Sequence, residues 1–212
     1  MSFNTYGQNS KTFGARYQVW SEVKGVKHGG GVVDATAFAN YPVGSVIPAG
    51  TPVYLDKSGG TLKPIYFYEL AETLEATDTE AVLYGNYPLT AAGGNIIAVP
   101  TAIGGTGAGV AYSAAVDNGD GTHTITIVAN SLGTAAAGTV YAEADDAGAT
   151  GKVVKETAVP NGLLLHDIVK EDGDTWATGA VVDDGRIFED RIVAVPAAYK
   201  AAMPGIKFEK GV

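Results

Sequence analysis

Apolar positions along this chain come in short runs cut by glycine and proline, a pattern of many brief strands rather than a few long helices. Tyr17 and Val19 alternate with polar neighbours, Val23 and Val26 follow, and Gly29-Gly30-Gly31 turns the chain into Val32-Val33. The stretch 41–55 is the most legible. Pro42 and Pro48 preset φ for turns, Gly44 and Gly50 supply conformations that other residues resist, and Thr51 to Leu55 reads as a strand. Asp56-Lys57-Ser58-Gly59-Gly60 stops it, and the flanking prolines favour an edge or the start of a strand. A β meander is expected here.

Residues 66–76 predict a helix, because Tyr66, Leu70 and Leu74 fall at i, i+4 and i+8 while Glu69, Glu72 and Glu75 face elsewhere. From Ala81 to Glu143 the texture changes to apolar runs (81–84, 96–99, 110–116, 124–129, 139–142) divided by Gly- and Ala-rich turns. Asp117-Asn118-Gly119-Asp120-Gly121 separates two segments of period-two alternation and predicts a hairpin. After Gly151 the earlier style resumes, with Val153-Val154, Gly162 to Leu165 and Ile168-Val169. A second hairpin is expected from Gly179 to Phe188, turning at Asp183-Asp184-Gly185. A short helix at 197–203, ended by Pro204-Gly205, leads to Ile206–Phe208.

These textures divide the chain into an N-terminal arm at 1–15, a β domain built from 16–65 with 150–212, and an inserted β module at 66–149. The arm lacks periodicity and would reach roughly 45–50 Å if extended.

Composition narrows the function more than the fold. The 29 glycines among 212 residues suit frequent turns, and without a Gly-X-Y period they exclude collagen. With 23 acidic against 14 basic residues the formal net charge is −9. That charge disfavours nucleic acid and anionic membranes, and suits either a soluble protein present at high concentration or one that docks on a basic protein surface. No cysteine is present, so disulfides, thiolate metal sites and cysteine nucleophiles are excluded. No apolar run approaches the ~20 residues of a membrane helix, and the polar start MSFNTYGQNSKTFG lacks an apolar secretory core.

Candidate chemistry is sparse. His28, His123 and His166 form no metal spacing, and no GxSxG elbow accompanies them. His166-Asp167 resembles part of a charge relay, but neighbouring strand residues point to opposite faces. The 117–121 loop lacks the order of a calcium loop and its closing Glu, and its Asn-Gly and Asp-Gly pairs are what a tight turn needs. Gly104-Gly105-Thr106-Gly107-Ala108-Gly109 has no following Lys-Ser/Thr, so it reads as a loop. The acidic run Glu69, Glu72, Glu75, Asp78 and Glu80 reads as a solvated helix face. Exposed Tyr and Trp can bind glycans or protein, but most of the 11 Tyr and two Trp are expected in the core or in strand pairs.

Two segments go beyond composition, Tyr41 to Leu55 and Gly162 to Arg191, and the ending from Ala197 to Phe208 joins them. The shared pattern is a strand after G-T-P-V, a G-L-L-x-x-D strand, an A-V-V…G-R hairpin and a closing helix before P-x-I. On these residues the chain resembles tailed-phage head decoration and head-fibre proteins. The likeness covers roughly half the chain, at its two ends, and leaves about 66–149 unmatched. It implies a mainly β protein: a small decoration-type β-barrel-like domain, interrupted by an inserted β module, with one or two short helices. It further implies a non-enzymatic homotrimer, without cofactor, on the outside of a virion capsid after synthesis in the host cytoplasm. Its partners would be the major capsid protein and its own copies. A carbohydrate-binding or host-adhesion module contacting a cell-surface glycan is the alternative expectation. A hydrolytic enzyme is the third, with no activated nucleophile or acid pair to carry it. Capsid or subunit contacts are expected at Phe3, Tyr6, Phe13, Tyr17, Trp20, Tyr41 and Pro48, and an outward-facing insert at Asp117, Asp120 and His123. No catalytic or metal-binding residue is assigned.

Overall fold

A computed structural model describes residues 18–35, 38, 41–85, 87, 89–129 and 131–211. The arm at 1–15 lies outside them. The fold is mainly β, with strands β1 (Trp20–Val26), β2 (Gly31–Val33), β3 (Val46–Ile47), β4 (Pro52–Asp56) and β5 (Thr61–Pro64) first in the chain. Next come β6 (Phe67–Leu70), β7 (Glu80–Gly85), β8 (Gly94–Ala98), β9 (Gly107–Asp117), β10 (Thr122–Ile127), β11 (Val140–Glu143) and β12 (Gly148–Lys152). The last are β13 (Gly162–Leu164), β14 (Ile168–Val169), β15 (Thr178–Gly179), β16 (Val181–Phe188) and β17 (Ile206–Glu209). Two compact units result. One is formed by the chain up to Ile65 with Ala158–Ile192 and Tyr199–Val212, the other by Tyr66–Thr157 with Val193–Ala198.

In the first unit the sheet runs β1-β16-β13-β4-β5-β2-β15, with β17 parallel to β16, and β3 and β14 form a separate ribbon. Alternation decides the buried face: Val33, Val53, Leu55, Leu62, Leu164 and Ile187 point inward and are buried. The stretch 41–55 folds as its residues dictate. Thr51 donates from its backbone N–H and its hydroxyl to the Pro48 carbonyl (3.2 and 2.7 Å), closing the turn before β4. Gly50 sits there at φ +82°, where a Cβ would also meet Ile192 Cγ2 at 2.6 Å, so two constraints demand glycine. The helix at 197–203 is present as Ala197–Ala201, with Tyr199 buried.

The expected hairpin at 179–188 is absent. Val181–Phe188 is one continuous strand, and Asp183-Asp184 is an exposed pair within it rather than a turn. The reason is non-local. β1 pairs along β16 and absorbs the irregularity as bulges around Gly25, and β17 pairs with Gly185 to Phe188. Those ladders satisfy backbone groups that a local turn would have left to solvent.

The second unit closes on itself. Antiparallel pairing runs β9-β10-β7-β6-β11-β8 and returns to β9, giving a six-stranded barrel, with β12 attached to the start of β9. The predicted hairpin is there as β9–β10, with Asp117 opposite His123. The helix expected at 66–76 is not. Tyr68 and Leu70 alternate into the barrel core from β6, between β7 and β11, and Leu74 bridges Ala135. Tyr66, Leu70 and Leu74 satisfy a helical period, but the Tyr-Phe-Tyr start favours a pleated surface and two waiting strand partners decide the outcome. Tyr66 instead stacks on Tyr87 with ring centroids 4.7 Å apart.

Barrel packing depends on two cross-strand pairs. Tyr68 faces Gly85 and Tyr112 faces Gly94, and in each the tyrosine occupies the space a Cβ would take. A Cβ on Gly85 would lie 2.6 Å from the Tyr68 ring. Gly85→Ala should therefore destabilise the barrel by about 1–3 kcal/mol, the usual cost of overpacking. Urea unfolding followed by circular dichroism checks this, and an unchanged midpoint would show that the ring does not rest on the glycine.

Candidate functional site

The residues expected at contacts fall into very different environments. Phe3, Tyr6, Phe13 and Tyr17 lie outside the described residues. Trp20 is only 1% exposed, and its indole Nε1–H donates to the Leu165 carbonyl at 3.2 Å, so the side chain belongs to the core of the first unit. Pro48 is buried as well, and its carbonyl is taken up by the Thr51 turn. Tyr41 is half-buried and meets Phe38 edge-on, with centroids 5.6 Å apart.

Asp117 and Asp120 are exposed at the tip of the β9–β10 hairpin, and their carboxylates are engaged in shaping it. Asp117 accepts the Gly119 N–H at 2.8 Å, and Asp120 accepts the Thr122 N–H and hydroxyl at 2.9 and 2.7 Å. The Thr122 hydroxyl, then its amide, hold the Asp120 carboxyl below its ordinary range. Asn118 completes the tip by donating to the Thr122 and Thr124 hydroxyls. Among the described residues no group of three or more His, Asp or Glu side chains is arranged to hold a metal ion.

His123 does not face outward. It shares strand parity with Ile125 and Ile127, is 4% exposed, and neither ring nitrogen has a hydrogen-bond partner among the described residues. Burial pushes its imidazole below the ordinary value, against the pull of the Asp117 and Asp120 carboxylates. In the first unit His166 and Asp167 sit in the bend between β13 and β14. Asp167 accepts the Ala49 N–H at 2.7 Å, yet burial raises its carboxyl to about 6. Burial also lowers His166.

One exposed aromatic was not singled out by the sequence. Trp176, between the acidic residues 171–174 and β15, is 60% exposed. The signal was available: an indole outside any alternating run, directly after Glu171, Asp172 and Asp174.

Two opposite pH effects follow. His123 takes up fewer protons folded than unfolded once the pH falls below about 6.5, so acidification through that value removes stability. His123→Leu should gain about 1 kcal/mol at pH 7 by removing unpartnered polar atoms, and its advantage should widen toward pH 5. Urea midpoints at the two pH values check this, and a constant difference would place the imidazole in contact with solvent. Asp167 behaves in reverse. Between 3.8 and about 6 the folded chain retains a proton that the unfolded chain has released, so stability declines as pH rises through that window. Asp167→Asn keeps an acceptor for Ala49 and should be more stable than the native chain at pH 8 but equal to it near pH 4. Tryptophan fluorescence reads this directly, because both Trp residues belong to the first unit.

Comparison of the chain with protein-family models, with curated proteins and with solved structures found no match.

Proposed function

We propose that this chain is a structural capsid accessory, a head decoration or head-fibre protein that binds the outer surface of a phage capsid as a homotrimer and stabilises the shell. One observation carries the reading. The strands bearing the decoration-like pattern are successive neighbours: β4, which begins within G-T-P-V, pairs with β13 of G-L-L, β13 pairs with β16, where A-V-V…G-R is one strand instead of the hairpin of the pattern, and β16 pairs with β17, which begins at the Ile of P-x-I. Segments separated by more than a hundred residues thus form one contiguous set in the first unit. A resemblance confined to turn composition would not require them to be adjacent.

The physics of attachment agrees with this role. Shells have local three-fold positions, where a trimer makes three equivalent contacts. Three modest attachments held together gain occupancy through effective concentration. An acidic protein is matched to a basic docking surface. On this reading the barrel of the second unit is an elaboration carried by the accessory domain.

Co-sedimentation of the purified protein with capsids of the encoding phage, before and after expansion, tests the proposal. Saturable uptake at a fixed ratio to shell subunits is expected, with preference for expanded shells. Removal of residues 1–15 should weaken that uptake if the arm spans neighbouring capsomers. A well-folded protein that binds neither shell would sink the proposal and favour an independent adhesion module.

A further inference from the structure

The geometry points to the face of the first unit around Trp176 as the docking surface, and to a basic protein surface with an apolar pocket as its partner; this rests on the accessory reading, which makes that partner the capsid shell. Trp176 is the most exposed large aromatic among the described residues at 60%. Val32 on β2, Val169 on β14 and Val43 beside the β3–β14 ribbon are exposed as well. Thr178 lies directly opposite Val32, and Trp176 precedes it by two residues, so by strand parity the indole and Val32 share the outward face. The inward face of β2 and of its neighbour β5 is closed by Val33 and Leu62.

The segment that presents the indole is fixed at both ends. Gly44 donates to the Lys170 carbonyl at 2.7 Å and Lys170 donates to the Ser45 carbonyl at 2.8 Å, while Val33 donates to the Ala177 carbonyl at 2.8 Å. Between these anchors the Glu171 N–H donates to the Asp174 carboxylate at 3.0 Å, and the Asp174 N–H returns to the Glu171 carbonyl at 3.3 Å. A large aromatic on backbone that is already ordered loses little freedom on binding, which is how anchor residues concentrate affinity.

Charge selects the partner. Glu171 and Asp172 are exposed, Asp174 is half-buried, and among the described residues none of the three is in an ion pair. No Lys or Arg occurs from Glu171 to Gly185. The adjacent Lys170 forms no ion pair with these carboxylates among the described residues: it is 5% exposed, with Nζ 4.6 Å over the Phe38 ring. An indole bordered by unneutralised carboxylates is complementary to an apolar pocket ringed by Lys and Arg. The same charge opposes a two-fold contact of this face with itself, and opposes nucleic acid and anionic lipid.

Trp176→Ser and Asp172→Lys, made in the full chain, test the assignment by co-sedimentation with shells of the encoding phage. Both side chains are exposed, so both variants should unfold at the native midpoint. Trp176→Ser should weaken binding by at least about tenfold, as loss of an anchor does. Asp172→Lys should weaken it at low salt, with a deficit that shrinks as salt rises. Native-level uptake of both variants overturns the assignment and leaves the accessory role standing. Shells that fail to take up even the native chain overturn both.

Discussion

The first unit depends on a three-residue strand. β13 lies between β4 and β16 and joins the early chain to the late chain through pairs such as Gly162 with Val53 and Leu163 with Val182. Only glycine fits at its start, because a Cβ on Gly162 would meet both Val181 Cγ1 and the Val182 carbonyl at 2.5 Å. Asn161 reinforces the joint in the manner of a strand residue. Its backbone N–H donates to the Val53 carbonyl, and its side chain both accepts from the Leu55 N–H and donates to the Leu55 carbonyl, each at 3.0 Å. Such pairing requires closure of a loop of about a hundred residues, which carries an entropic cost.

The second unit answers a different problem. A sheet of six short strands would present two open edges, and closure removes them. A barrel of that size must be filled by side chains, and here tyrosines opposite glycines fill it. Among its buried polar groups is His123, whose burial lowers the imidazole pKa beneath a tip whose carboxylates are already committed to turn geometry.

What the sequence disclosed and what it concealed divide along the same line. Local chemistry was readable: the Asn-Gly and Asp-Gly tip of β9–β10, the Pro48 to Thr51 turn before β4 and the helix ended by Pro204 all depend on residues within a few positions of one another. Two elements were misjudged because remote partners decide them. Residues 66–70 carry an acceptable helical period until β7 and β11 flank them, and Asp183-Asp184-Gly185 is a good turn until β1 and β17 pair across it. At the candidate sites, His123 was expected to face outward, although its parity with Ile125 and Ile127 already pointed inside. The burial of Trp20 was not legible, because a lone indole carries no periodicity to show which face it takes, and for Trp176 the signal lay in its place outside any alternating run, after acidic residues.

The two strands that flank β4 have a consequence for descent. The chain leaves the first unit after β5, where Ile65 donates to the Pro52 carbonyl, and re-enters it at Ala158, with Asn161 pairing on the opposite side of β4. Departure and return are thus separated by two strand spacings, about 10 Å. A gap of that width is bridged as readily by a short loop as by a folded module. The host sheet is therefore a socket: an ancestor without the barrel, or a relative carrying an unrelated cassette in its place, would need no change in the register of β4, β5 or β13, and only Val193–Ala198, the other segment of the second unit, would have to find new surroundings.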